Sequence, residues 1–387
     1  MQAVVREAID DLRLNCARLE RWLLDSALPL WWNVGADNCG GFHETIGLDG
    51  LPPVGTRRAR VQGRQSYVYA YAGAVGWRGP WQSATKHGLN YLNDRYRMHD
   101  GLYATLVSHD GIVLDATVKT YDQAFVLLAL AWQYRMWPHS SQIETAAQNI
   151  RKRLECIKRH ANGGFVEASD IPFQSNPHMH LLEAALAWSD IAAAGSNWNS
   201  LADEIVTLAL SRFLDLEGGF LREYFDENWE QLPGAAGRIV EPGHQFEWAW
   251  LLERWARKRG DDPAKRFARR LFEAGTRGVD RARHVAVDEV DNNFNVTRNS
   301  ARLWPQTERL KAALILSQAA EGEARARYLG EACEAVCALW RYLDAPISGL
   351  WRDKLLPNDQ FVEEPAPASS FYHIVCAIAV LKDVTSE

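Results

Sequence analysis

A short glycine-centred turn recurs about every 55 to 67 residues along the chain, with two apolar stretches of helical period between successive copies. It reads Gly40-Gly41-Phe42-His43-Glu44, Gly101-Leu102-Tyr103, Gly163-Gly164-Phe165-Val166-Glu167, Gly218-Gly219-Phe220-Leu221-Arg222-Glu223 and Gly349-Leu350-Trp351-Arg352-Asp353. A degenerate relative spans His284 to Asp291. Each interval is therefore a helix pair. Six pairs closing on themselves make an all-α (α/α)6 barrel of twelve helices, occupying residues 1–387 as a single domain. Strand-like alternation is confined to residues beside the glycines, such as Val285 to Val290, so short β-hairpins are expected at one end. A straight helical solenoid is the rival, but such arrays repeat more tightly and carry distinct capping repeats.

A second register bears on function. Six helices carry a polar or aromatic cluster before becoming strongly apolar: Arg64-Gln65, Tyr121-Asp122-Gln123, Asn176-Pro177-His178-Met179-His180, His244-Gln245-Phe246-Glu247, Trp304-Pro305-Gln306-Thr307-Glu308 and Ser369 to His373. A helix that is apolar nearly all round is buried on all sides. Polar groups confined to its first turns must then gather at one end of the barrel, where free backbone N–H groups also favour developing negative charge. Capping explains Asp122 or Ser369. It does not explain His, Trp and Arg, none of which is a preferred cap.

Composition narrows the class of partner. A net charge of −6 argues against nucleic acid, whose binders carry a clustered basic face. The first residues alternate charged and apolar groups with helical period, unlike a secretory leader, and no run approaches the roughly 18 apolar residues of a membrane span. Six cysteines without CxxC spacing fit reduced thiols in a cytoplasm. Cys333 and Cys337 alone make a poor metal site. No metal and no cofactor are expected, since Walker, GxGxxG, HExxH and GxSxG patterns are all absent. The sixteen Trp, twelve Tyr and thirteen Phe exceed what a core needs, and surplus aromatics suit a sugar cleft.

His244 follows Pro242-Gly243 at a helix entry, and the i, i+3 spacing predicts that Glu247 orients it and favours its protonated form. His373 opens the last apolar helix and is expected at the same mouth. Two imidazoles facing one cleft suit proton transfer at a carbon next to a carbonyl. His178 and His180 point to different helix faces, and His180 is taken as the inward one. Arg64 offers a guanidinium for sugar hydroxyls or an enediolate oxygen. Trp304, Trp250 and Trp351 are candidate sugar platforms, whereas Trp248 reads as packing.

On these motifs, in this order and nearly end to end, the chain resembles the N-acylglucosamine 2-epimerase superfamily. The resemblance implies an (α/α)6 barrel whose two family histidines match His244 and His373. It further implies that Arg64, Tyr121, Asn176, His180, Glu247 and Trp304 match substrate-cleft positions, with Arg238 a further match. Asn176 to His180 is more similar to the mannose isomerase branch than to cellobiose epimerases. The implied reaction is interconversion of a free aldose and its ketose, D-mannose and D-fructose, through a cis-enediolate. His373 would act as the C2 base and His244 as the acid and base of ring opening and proton return, with the roles exchangeable. The alternative outcome is C2 epimerisation of an aldose. A remoter rival is a glycoside hydrolase using Glu247 and Glu308, and a noncatalytic interaction protein is remoter still. The implied partner is a monosaccharide, and a homodimer is common in families of this kind.

Overall fold

The computed structural model describes residues 2–138, 140–192 and 195–386. Twelve long helices alternate between an outer and an inner ring. The outer set is α1 (Gln2–Trp22), α3 (Trp81–Tyr91), α5 (Ser141–Lys158), α7 (Trp198–Leu208), α9 (Asp262–Arg277) and α11 (Gly322–Leu343). The inner set is α2 (Ala59–Ala74), α4 (Thr120–Met136), α6 (Ser175–Ser189), α8 (Pro242–Arg259), α10 (Leu303–Gln318) and α12 (Ala368–Thr385). Each inner helix packs on the next, and α12 packs back on α2, so the ring is the expected (α/α)6 barrel.

Sequence pattern separates the rings. The outer α9 turns Leu271, Phe272 and Ala268 inward and leaves a basic face to water, whereas the inner α4 is buried from Asp122 to Ala131. The switch between rings is tight. Gly260 ends α8 in the left-handed region at φ 67°, and Asp261 caps α9 by accepting from Ala264 N at 2.8 Å. The last helix, Ala368–Thr385, is long and apolar enough to cross a membrane by length and composition, but here it is the largely buried sixth inner wall. The short strands all lie in turns between helices. Thr45 and Ile46 pair antiparallel with Pro367 and Ala366, which closes the ring between the two ends of the chain.

One contact repeats around the barrel. The side-chain amide of Gln62 accepts from Phe42 N at 2.7 Å and donates to Phe42 O at 2.9 Å, gripping the first glycine turn. Gln123 grips Tyr103, Gln245 grips Leu221 and Gln306 grips Ala286 in the same two-bond manner. His178 takes this position in α6, accepting from Phe165 N at 2.8 Å. In α12 the position is Phe371, which packs on Trp31 and Trp351 instead. The sequence reading placed Gln65, Gln123, Gln245 and Gln306 at the mouth. Three of them are instead turn clamps that face outward, and α2 begins at Ala59, so its clamp is Gln62 and Gln65 bonds Ala368 O.

Replacing Gln123 with Leu removes both partners of the buried Tyr103 backbone. A loss of about 2 to 4 kcal/mol is expected from chemical denaturation, since each stranded buried group costs about 1–3 kcal/mol. A loss under about 1 kcal/mol contradicts the clamp's role.

Candidate active site

Helical geometry converts the clamp into a site. A residue two positions from the clamp is rotated by about 200°, so when the clamp faces the turn its neighbours two before and two after face the lumen. The positions two before are Arg60, Tyr121, Asn176, Gly243, Trp304 and Ser369. Those two after are Arg64, Phe125, His180, Glu247, Glu308 and His373. With His244, all of these except Gly243, Phe125 and Glu308 line a cavity of about 560 Å³ at the N-terminal ends of the inner helices. That size lies in the range of small-molecule sites.

The two histidines flank Trp304, with ring centroids 5.1 Å from His244 and 5.7 Å from His373. Each is held through Nδ1 by a carboxylate. His244 Nδ1 lies 2.9 Å from Glu223, and His373 Nδ1 lies 2.8 Å from Glu308. An ionised carboxylate only accepts, so Nδ1 carries the proton in both rings and Nε2 is left for chemistry. The expectation that Glu247 orients His244 is corrected: Glu223, from the turn before α8, does so. Among the described residues, Glu247 itself makes no hydrogen bond with either oxygen.

The environments of the two imidazoles are opposite. Burial disfavours the charged form of His244, but Glu223 and Glu241 outweigh it and raise its pKa to about 10. Burial lowers His373 well below the usual histidine value, and Arg64 and Lys311 push the same way. At neutral pH the pair is thus one imidazolium and one neutral imidazole, an acid beside a base. Below them, burial opposes the charge on Lys311, but Glu308, at 2.6 Å, and Glu247 hold it protonated. Burial and the nearby Glu308 raise Glu247 well above the carboxylate range.

Arg64 is 5% exposed and bonds only neutral oxygens, Tyr121 Oη at 2.8 Å and Ser369 O at 3.2 Å, while its guanidinium stacks 4.0 Å from the Phe125 ring centre. Its Nε has no hydrogen-bond partner among the described residues. A buried guanidinium without a carboxylate among the described residues is a ready receptor for a developing oxyanion. His180 lines the cavity against Tyr121 and Phe125, and burial lowers its pKa to about 4. Asn176 Oδ1 has no hydrogen-bond partner among the described residues, whereas His180 Nδ1 faces Glu183 at 3.6 Å and Glu247 at 3.8 Å.

The structure thus brings His244, His373, Arg64, Tyr121, Asn176, His180, Glu247 and Trp304 together around one cavity. Three expected residues are elsewhere. Trp351 is fully buried and stacked 4.8 Å from Trp31, because it occupies the aromatic position of its glycine turn and points into the core. Trp250 lies deeper in the lumen, at a second cavity, and Arg238 is exposed on a short helical turn outside the cavity lining. Sequence reading missed the orienting role of Glu223 and the rim groups Glu167, Glu241, Arg302 and Asp353. The signal was present. The residue two after Phe42, Tyr103, Phe165, Leu221, Ala286 and Trp351 of the six turns is acidic in five: Glu44, Glu167, Glu223, Asp288 and Asp353, with Thr105 the exception. Most of these accept from an inner-helix N-terminus, as Glu167 does from Thr120 N and Tyr121 N.

Two triads, His180–Glu183–Glu247 and Glu247–Glu308–His373, bring ligand atoms within 4.8 Å of one another. Lys311 already supplies a cation to Glu308, and the Tyr372 hydroxyl engages Glu183.

A family model described as N-acylglucosamine 2-epimerase (GlcNAc 2-epimerase) matches residues 40–377. A protein of Rhizobium meliloti (strain 1021) named mannose-6-phosphate isomerase is 48% identical over 379 residues, covering 96% of this chain and 98% of that one. Among solved structures, cellobiose 2-epimerase from Spirochaeta thermophila DSM 6192 superposes with a TM-score of 0.84 at 21% identity, covering 97% of each chain. A D-mannose isomerase superposes with the same TM-score and identity over 95% of this chain and 97% of that one.

If Glu223 holds His244 protonated, Glu223→Gln lowers the histidine's pKa and moves the alkaline limb of the kcat/KM profile from near pH 10 toward neutrality. An unmoved limb contradicts this coupling.

Proposed function

The chain belongs to the N-acylglucosamine 2-epimerase family of carbohydrate isomerases and epimerases, and within it we propose that the enzyme interconverts free D-mannose and D-fructose. The observation that carries this reading is the acid–base asymmetry of His244 and His373 on either side of Trp304.

His244 donates its Nε2 proton to the ring oxygen as the C1–O5 bond breaks, and recovers a proton from the C1 hydroxyl as the aldehyde forms. Neutral His373 then takes the C2 proton through Nε2. The electron pair moves into a C1–C2 double bond and leaves negative charge on O1, where Arg64 stabilises it. His373 returns the proton to C1. His244 protonates O1 and recovers the O2 proton as the C2 carbonyl forms.

The placing of the two groups supports ketose over epimer as the product. Their helices, α8 and α12, flank the α10 helix that carries Trp304, so both imidazoles approach from one arc of the ring. A base returning its proton from the side it took it delivers to C1. His180, across the ring, is the group an epimerase outcome would need, and C2 epimerisation is the second reading for that reason. A hydrolase is disfavoured, because Glu247 and Glu308 crowd within 4.8 Å and Glu308 is committed to Lys311 and His373, whereas carboxylates flanking a glycosidic bond stand about 5–9.5 Å apart.

The free sugar is preferred to its 6-phosphate because the rim cations are already neutralised. Arg58 pairs with Glu44, Arg60 with Asp122 at 3.0 Å, and Arg302 with Asp288 at 3.1 Å and Glu241 at 3.4 Å. Of the lining cations, Lys119 and Arg64, the latter assigned to O1, have no ion pair among the described residues. With Lys311 supplying the internal cation, the reaction is proposed to need no metal, and six unpaired thiols fit a cytoplasmic setting.

Incubation of mannose in deuterated water followed by carbon-detected NMR is expected to give fructose with label at C1, and His244→Ala or His373→Ala is expected to lower kcat by about 10²–10⁴-fold with the fold intact. Near-normal turnover by either variant, or a C2 epimer as the main product, overturns the assignment. Mannose is expected to have a higher kcat/KM than mannose 6-phosphate, and the reverse order refutes the free-sugar reading. Activity is expected to survive exhaustive EDTA treatment; loss restored only by added metal contradicts the metal-free reaction.

A further inference from the structure

Lys311 is fully buried on α10, five residues after the Gln306 clamp. It lines neither the catalytic cavity nor the deeper one of about 410 Å³. A lysine is rarely taken fully out of water, and then only beside a partner for its charge. Here the ammonium lies 2.6 Å from Glu308 Oε2, and the other oxygen of that carboxylate, Oε1, accepts from His373 Nδ1 at 2.8 Å. An ammonium, a carboxylate and an imidazole thus stand in series, from the dry interior up to the cavity. Of the three, His373 alone lines that cavity. The series is held at its lower end as well, because the ammonium sits 3.9 Å from the ring centre of Trp250 on α8.

We propose that Lys311 is a positioning residue of the sugar isomerisation: its charge holds Glu308 as an anion that can only accept, which keeps the Glu308–His373 pair free of the extra proton that would block His373 Nε2. The role rests on the reading of His373 as the C2 base.

The charges around the pair give the ammonium this task. It is faced by Glu308 on its own helix, Glu247 of α8, Cys376 of α12 and Glu183 of α6. Burial raises the Glu308 carboxyl above its usual range, Lys311 is the chief charge opposing that rise, and Glu183 adds to it. His373 is faced by Arg64 of α2 and by His180 and Glu183 of α6, as well as by Lys311. With the ammonium gone, the carboxyls of Glu183, Glu247 and Glu308 outweigh Arg64, and the pair takes up a proton more readily. Either partner can hold that proton. On the imidazole it makes an imidazolium; on Glu308 it is donated to Nδ1 and leaves the ring hydrogen on Nε2. Both states remove the lone pair that takes the C2 proton. An ion pair serving only to fill the interior would have no such effect.

The test reads the protonation of His373 by nitrogen-15 NMR, beside the pH profile of kcat/KM, in Lys311→Gln, which keeps N–H donors on α10 without the charge. The midpoint of His373 protonation and the acid limb of the profile are both expected to rise by about one pH unit or more, with activity recovering as the pH is raised. In Glu308→Gln/Lys311→Met, a neutral pair that also serves if Lys311→Gln does not fold, the anion that favours the added proton is removed with the ammonium. Its His373 midpoint is expected at or below that of the unaltered enzyme. The midpoint is read without turnover, so it decides the role of Lys311 whichever sugar the enzyme converts; a midpoint that moves while the acid limb stays refutes His373 as the base. An unmoved midpoint in Lys311→Gln, a loss of kcat that no rise in pH recovers, or a raised midpoint in the double variant overturns the proposal.

Discussion

The grip of an inner-helix amide on the backbone of a glycine turn is the contact on which the rest of the barrel depends. A helix buried on all sides has few polar ways to fix its rotation, because apolar faces slide and turn past one another at little cost. Two hydrogen bonds from Gln62, Gln123, Gln245 or Gln306 to one turn residue set both the height and the rotation of that helix. Stranding those bonds in a dry interior is expensive, so the register holds. Once it does, the 3.6-residue period assigns every other side chain to a tier.

The chemistry follows from how the tiers are filled. A ring of six equivalent positions holds a guanidinium, a phenyl ring, two imidazoles and two carboxyls, all drawn from the same step after the clamp. His244 joins them from one position before its clamp, and its surroundings differ from those of His373. Turn carboxylates that elsewhere serve helix N-termini crowd His244 with negative charge, whereas Arg64 and Lys311 surround His373 with positive charge. One side-chain type can therefore serve as both acid and base, and the difference lies in the groups around each ring.

Much of this was legible in the chain. The glycine turns and paired apolar stretches gave the (α/α)6 barrel, because closure imposes a repeat that a linear pattern records. The inward side chains were found wherever a polar or aromatic residue interrupted an apolar helix, as at His180, His244 and His373. Gln123, Gln245 and Gln306 were misread for the same reason: polarity in a first turn says that a residue has a buried partner, not on which side. Glu223 escaped because it precedes His244 by a whole turn and strand, and only the acidic register of the turns would have exposed it. Trp351 was taken for a sugar platform because an aromatic beside a glycine turn looks the same whether it faces the lumen or, like Phe42, the core. Trp250 was misplaced by depth, since its position five after the clamp puts it below the catalytic tier.

The central claim is that His244 and His373 sit in one cavity in opposite protonation states. Nitrogen-15 NMR of the histidine rings, assigned by comparison with the single variants, tests it most directly. The account predicts His244 protonated on both nitrogens from neutral pH to near 10, and His373 neutral with its proton on Nδ1 over the same range. Two neutral rings titrating together near 6.5, or an imidazolium at His373, would contradict it.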